Sequence, residues 1–107
     1  MPRAARTALG TFADAIRAQF GDQVIDLRLF GSFARGEANE ESDVDVAVVL
    51  EHVDWRTKRE VIDLATDVGL SAGLLISPVV FDRQTYDRWR QQERPLVSSI
   101  ERDGVHL

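Results

Sequence analysis

The segment from Leu29 to Leu50, LFGSFARGEANEESDVDVAVVL, restricts the fold of this chain more than any other segment. An apolar run ends at Phe30 and is followed at once by Gly31-Ser32, which predicts a strand that turns sharply into a short helical turn. After a polar loop comes a second apolar run that carries Asp43 and Asp45, which predicts a second strand. The rest of the chain is expected to be the scaffold that holds these two strands.

The Gly31-Ser32 pair predicts a binding site for phosphate. A glycine lets the backbone approach a ligand closely, and the N–H groups at the start of a helical turn have no partner within the helix. Such a helix end favours phosphate. A glycine and a serine after a strand are nevertheless most often only a turn, so this pair is a weak indication when it is taken alone.

Asp43 and Asp45 predict a site for a divalent cation. In a strand, residues two apart lie on one face, so both carboxylates would project together while Val44 and Val46 project to the other side. Two carboxylates on one face repel each other unless a cation lies between them. Mg²⁺ fits, because it is commonly held by one or two carboxylates together with water and substrate phosphates. The alternative for Asp43 and Asp45 is a solvated strand edge. Because the Gly-Ser turn and the Asp-x-Asp strand both occur on suitable elements, the sequence favours a site for a nucleoside triphosphate.

The spacing of these two motifs resembles a known signature. Gly31-Ser32, ten intervening residues and then Asp43-x-Asp45 resemble the pattern of the polymerase-beta-type nucleotidyltransferases. The fuller segment GSFARGEANEESDVDVAVVL is similar to their smallest members, the minimal nucleotidyltransferases that serve as antitoxins in HEPN/MNT toxin–antitoxin pairs. The resemblance implies a polymerase-beta-like fold and transfer of a nucleoside monophosphate, AMP from ATP, to an acceptor hydroxyl.

The resemblance also implies roles for individual residues. Asp43 and Asp45 would be catalytic and hold two Mg²⁺ ions, while Gly31 and Ser32 would contact the triphosphate. Arg35, the one cation of the motif, would reach a phosphate or instead pair with an acid such as Glu37.

One position departs from the family pattern. Competent members place a third carboxylate on the next strand, where this chain has Ser77 or an apolar neighbour. Asp82 is the nearest acid, but it stands where a helix N-cap would account for it. Either Asp82 reaches the metal, or the metal site has two carboxylates, or catalysis is weak or lost.

The remaining chain predicts a single α/β (α+β) domain over residues 1–107, with a small mixed sheet backed by helices. Asp26 and Arg28 alternate with apolar residues on the first strand and suggest an exposed edge. Pro78 cannot donate a ladder hydrogen bond, so its strand is also expected at an edge. The other expected elements are helices over 4–20, from Asp54, from Asp82 and after Pro95, strands over 24–30 and 74–81, and a solvated loop over 36–42.

Composition excludes several classes of function. With 18 acidic and 13 basic residues the formal charge is −5, so duplex nucleic acid is not an expected partner. The absence of cysteine excludes disulfides and thiolate chemistry. No apolar run approaches the length of a membrane span, so we expect a cytoplasmic protein without a membrane partner.

Two functions remain open. The protein is an antitoxin enzyme that adenylylates a HEPN-type ribonuclease toxin encoded nearby, or it is a nucleotide-binding module that neutralises such a toxin by complex formation alone. Tyr86, Trp89, Leu96 and Ile100 suggest a partner surface on the last two helices, although a core role is equally open. Base stacking by Trp55, Tyr86 or Trp89 is the less favoured alternative to packing.

Overall fold

The computed structural model describes residues 1–39 and 41–107, so Glu40 of the predicted loop lies outside the described residues. Within this part of the chain, helices and strands follow one another in turn except that α4 and α5 are consecutive. They are α1 Arg3–Phe20, a 3-10 turn Gly21–Gln23, β1 Val24–Phe30, α2 Gly31–Arg35, β2 Val44–Leu50, α3 Trp55–Ala72, β3 Ile76–Asp82, α4 Arg83–Gln91, α5 Pro95–Asp103 and β4 Val105–His106.

The strands form one mixed sheet in the order β3-β2-β1-β4. β1 is antiparallel to β2 and to β4, whereas β2 and β3 are parallel. The predicted mixed sheet backed by helices is therefore confirmed, as is the edge position of the strand that contains Pro78. Strand β4 has two residues and was not predicted, because so short a segment has no periodicity of its own.

The first face of the sheet packs against α1 and α3. Alternate residues of β2 enter this core, and Val44, Val46, Val48 and Leu50 are all fully buried. The helices contribute apolar residues at spacings of three and four, as the sequence predicts. They include Leu9, Phe12, Ile16, Val61 and Ala65.

The second face of the sheet packs against α4 and α5. Its core consists of Phe30, Ala47, Val49, Phe81, Tyr86, Val97 and Ile100. The Phe81 ring meets the rings of Tyr86 and Trp89 edge to face, at centroid distances of 5.3 and 5.6 Å. Of the residues suggested as a partner surface, Tyr86 and Ile100 are buried core, because the last two helices cover the second face of the sheet. Trp89 and Leu96 are partly buried against this core. Trp55, in contrast, is 72% exposed.

The expectation of an exposed edge at Asp26 and Arg28 is wrong. β1 is an inner strand between β2 and β4, and helix α5 packs against its second face, so Asp26 and Arg28 are half-buried. Arg28 pairs with Asp26 at 2.7 Å and also with Glu101 of α5. The C-terminal strand β4 supplies the true edge, and a partner so distant in sequence leaves no local signal.

Both predicted N-caps are confirmed. The Asp54 carboxylate accepts a hydrogen bond from the Thr57 N–H at 2.8 Å, and Asp82 accepts one from the Thr85 N–H at 2.6 Å. Among the described residues, no helix has both the length and the apolar character needed to cross a membrane.

Candidate active site

The candidate site lies where β1 ends, α2 begins and β2 starts. Asp43 directly precedes β2, and Asp45 is its second residue. Val44 and Val46 are buried in the first core, whereas Ala47 and Val49 belong to the second. Asp45 is two residues before Ala47 on the same strand, so its side chain faces the side of the sheet on which α4 and α5 lie. The predicted alternation is present from Val44 onwards, whereas Asp43, which was predicted on the strand, lies one residue before its start.

Gly31 lies against the Asp45 carboxylate. The register pairs Phe30 with Asp45, so the first residue of α2 starts beside this side chain. Gly31 has a backbone φ angle of +74°, which residues with a side chain rarely adopt. A Cβ at this position would also lie 3.1 Å from Asp45 Cγ and would overlap Oδ2. Glycine is thus required twice, for the backbone conformation and for the close approach of the carboxylate.

The two carboxylates interact electrostatically. Partial burial raises the pKa of Asp45, and the nearby charge of Asp43 raises it further, while Arg35 opposes both effects. Ionisation of Asp45 therefore costs free energy, and a cation bound beside its carboxylate would offset this cost. Oxygen donors of this kind suit Mg²⁺, so the residues present fit a divalent cation. Among the described residues, no cluster of three or more acidic, histidine or cysteine side chains forms a larger metal site.

Ser32 is the second residue of α2 and is half-buried. Phe30, in extended conformation, precedes the helix, and no described side chain caps its first turn. The first N–H groups of α2 are therefore not capped by a side chain, and Gly31 at this end lies beside the Asp45 carboxylate. The structure brings Gly31, Ser32 and Asp45 together.

Arg35 forms ion pairs within the protein. Its Nε lies 3.0 Å from Glu37 Oε2, and one terminal nitrogen lies 3.9 Å from Asp103 Oδ2 at the end of α5. Pairing with Glu37 is the structural alternative that the sequence left open. Asp103 was missed, because only the packing of α5 against α2 brings it near.

Ser77, and not Asp82, is the neighbour of Asp45 on β3. The parallel register pairs Asp45 with Ser77 and pairs Leu50 with Asp82. Asp82 is thus five residues further along, roughly 16 Å away at the rise of a strand. Asp82 belongs to the positions of β3 that face the first side of the sheet, and it caps α4. The hydrogen bonds from Thr85 lower the pKa of Asp82. The structure does not bring Asp82 to Asp43 and Asp45.

Comparisons with known proteins show the family to which the chain belongs. A family profile described as "Nucleotidyltransferase domain" matches residues 9–98. Two relatives from Methanocaldococcus jannaschii are named "Putative protein adenylyltransferase": one is 40% identical over 80% of this chain and 78% of its own, the other 33% identical over 76% and 77%.

Solved structures are similar as well. A structure described as "putative minimal nucleotidyltransferase" superposes with a TM-score of 0.64 at 25% identity, covering 95% of this chain and 91% of its own. A "toxin-antitoxin with AMP-PNP" superposes with a TM-score of 0.62 at 19% identity, covering 89% and 68%, which supports the fold alone.

Proposed function

This chain belongs to the nucleotidyltransferase domain family, and we propose that it transfers AMP from ATP to a hydroxyl group of a protein partner. The hydroxyl oxygen would bond to the α-phosphorus of ATP, and the bond to the β-phosphate would break with release of pyrophosphate. The observation that carries the proposal is the contact of Gly31 with the carboxylate of Asp45, whose pKa is raised by burial and by the nearby charge of Asp43. Two carboxylates that repel each other lie next to a stretch of backbone that has room for a phosphate. Nucleotidyl transfer needs this combination, because it depends chiefly on positioning and on compensation of negative charge.

Gly31 and Ser32 would hold the triphosphate. The N–H groups at the start of α2 point away from the helix and can donate to phosphate oxygens. Because Gly31 has no side chain, the phosphates can approach the backbone and Asp45 together. Arg35 would contribute positive charge nearby while its pairs with Glu37 and Asp103 keep the side chain in place.

Asp43 and Asp45 would hold Mg²⁺, with two ions proposed. When bound, the ions would polarise the transferred phosphoryl group and offset the charge that develops during transfer. The carboxylates would hold the ions close to Gly31 at the start of α2, where the triphosphate is proposed to bind. Their position at the start of β2 is held by the core, because Val44 between them and Val46 after them are both buried on the first face.

The proposed acceptor belongs to a HEPN-type ribonuclease toxin encoded nearby, in the cytoplasm, and this chain would be its antitoxin. Two relatives carry the name of a protein adenylyltransferase, and this supports a protein acceptor and AMP as the transferred group. Two solved neighbours are toxin–antitoxin pairs described as MntA-HpeT, and this supports a toxin as the partner.

A second candidate is neutralisation of the toxin by complex formation without chemistry. The specific observation in its favour is the neutral Ser77 beside Asp45, where competent relatives are expected to have a third carboxylate. In this case the site would bind nucleotide without transferring it.

The test is to incubate the purified protein with ATP, Mg²⁺ and the neighbouring HEPN-type protein, and to measure the intact mass of that partner. We expect a mass gain of one or more AMP units. Asp43→Asn should abolish the gain, whereas Asp63→Asn, the same change at an exposed site on α3, should not. An unmodified partner that nevertheless forms a complex and loses its nuclease activity would establish the second candidate instead.

A further inference from the structure

Helix α3 has an apolar stripe on the side that does not enter the first core. Trp55, Ile62 and Leu70 are 72%, 42% and 78% exposed. They are spaced about two turns apart, so they lie along one side of the helix over about 22 Å. Thr66 lies between Ile62 and Leu70, and its hydroxyl already donates a hydrogen bond to the Ile62 carbonyl at 2.9 Å. We call Trp55, Ile62, Thr66 and Leu70 the α3 stripe.

The exposed apolar side chains of the protein are concentrated at this helix. Four of the seven large ones among the described residues lie on α3 or just after it, the fourth being Leu75 at 63% exposure. The other three, Met1, Ile25 and Val105, lie on separate segments. Isolated exposed apolar residues are normal, whereas a group of them marks an interaction surface.

The charges of α3 are separated along its length. Its basic residues all lie within positions 55–59, and its acidic residues all come later. The first turn has no acidic residue, and the last turn has no basic one. This order is opposite to the one that the helix dipole favours, because the N-terminus of a helix carries the positive end. An antiparallel copy of the same helix would bring the basic end of each helix beside the acidic part of the other.

We propose that the α3 stripe is the interface with a second copy of this chain, and that the two α3 helices lie antiparallel about a two-fold axis. Such an interface uses the same surface of both copies. Ile62 then lies near the axis, and Trp55 lies opposite Leu70 of the second copy. Arg56 on the flank of the stripe lies opposite Asp67 of the second copy. A parallel pair would instead place like charges side by side, so charge selects the antiparallel arrangement.

The proposed dimer leaves the candidate active site open. α3 packs on the first face of the sheet, whereas Asp45 faces the second. Association therefore needs neither nucleotide nor cation, and the dimer does not depend on the proposed function.

Sedimentation equilibrium of the purified protein without nucleotide tests the dimer. We expect the average mass to rise from that of one chain to that of two as the concentration increases through the micromolar range. Leu70→Asp should raise the dissociation constant at least about tenfold, because each dimer buries two copies of this side chain. Val105→Asp introduces the same charge at an exposed apolar position of β4 and should leave the constant unchanged. A wild-type protein that remains a single chain at millimolar concentration would overturn the proposal and would leave the stripe to a different protein.

Exchange of charges tests the antiparallel arrangement. Arg56→Glu and Asp67→Lys, each alone, should raise the dissociation constant at least about tenfold, because both create like-charge pairs across the interface. An equimolar mixture of the two variants should form dimers again, because opposite charges then face each other at both pairs. Both positions are exposed, and circular dichroism would verify that each variant is folded. A mixture that associates no better than either variant alone would overturn the antiparallel arrangement.

Discussion

The carboxylate of Asp45 lies so close to the backbone of Gly31 that any side chain at position 31 would overlap its Oδ2. Phe30 and Asp45 are partners in the antiparallel ladder, and α2 begins at the next residue. The turn and the acidic strand are therefore a single structural unit. A substitution at either residue should affect both the phosphate and the cation parts of the candidate site.

Gly31→Ala should reduce stability and abolish nucleotide binding. The positive φ alone costs about 1–2 kcal/mol for a residue with a Cβ, and displacement of Asp45 adds to this cost. Gly36→Ala is the matched control, because Gly36 has φ of +72° and open space around it. We expect Gly36→Ala to lose only the stability that depends on the backbone conformation, and to bind Mn·AMP-PNP as the wild type does. Thermal melts and calorimetry of both variants would measure this, and equal behaviour would contradict a special contact at Gly31.

Asp45→Asn should stabilise the metal-free protein at neutral pH while it abolishes cation-dependent nucleotide binding. Burial and the charge of Asp43 raise the pKa of Asp45 above 3.8, so the ionised form is the less favourable one in the folded state. This cost is absent at low pH, and it appears as the pH rises through the folded-state pKa. The stability difference between the variant and the wild type should therefore be larger at pH 7 than near pH 4, as measured by chemical denaturation. A variant that is less stable than the wild type at pH 7 would contradict this electrostatic argument.

Asp82→Ala should destabilise the fold without changing the affinity for Mn·AMP-PNP. Loss of an N-cap costs about 1 kcal/mol, and the cap lies far from Asp45. Asp54→Ala removes the corresponding cap of α3 and should cost a similar amount. Asp82→Asn should retain most of the capping. Weakened cation-dependent binding in Asp82→Asn, with unchanged stability, would instead indicate that Asp82 reaches the metal.

Tyr86→Phe should make the protein less sensitive to alkaline pH. Burial, followed by the charge of Glu101, raises the pKa of Tyr86 to about 12 from 10.0. Between these values the unfolded chain releases the proton first, so stability should fall as the pH rises from about 10 to about 12. Phenylalanine cannot ionise and should flatten this loss in denaturation experiments.

The same substitution should be nearly neutral at pH 7. The Tyr86 hydroxyl is buried, and the only acceptor near it is Glu101, with which it makes no well-formed hydrogen bond among the described residues. Because Glu101 also pairs with Arg28, removal of the hydroxyl should leave no group unsatisfied. Tyr86 is the only tyrosine of the sequence, so the absorbance change of the wild-type protein reports its ionisation directly. Ionisation near pH 10 in the folded protein would show that the hydroxyl is not held in this environment.

The sequence by itself determined the features that depend on near neighbours. The alternation of Val44 and Val46 with Asp43 and Asp45 follows from the two-residue period of a strand. The caps at Asp54 and Asp82 depend on residues three positions away. The mixed sheet backed by helices was predictable for the same reason, since most of its elements have a clear period.

Only the tertiary structure decided which distant residues meet. The sequence predicts an exposed edge at Asp26 and Arg28, yet the short strand β4 and Glu101 cover them. Arg35 meets Asp103 because α5 packs against α2, and Ser77 meets Asp45 because β2 and β3 are in parallel register. These relationships depend on how whole elements pack and on which strands pair, and a local pattern contains no information about either.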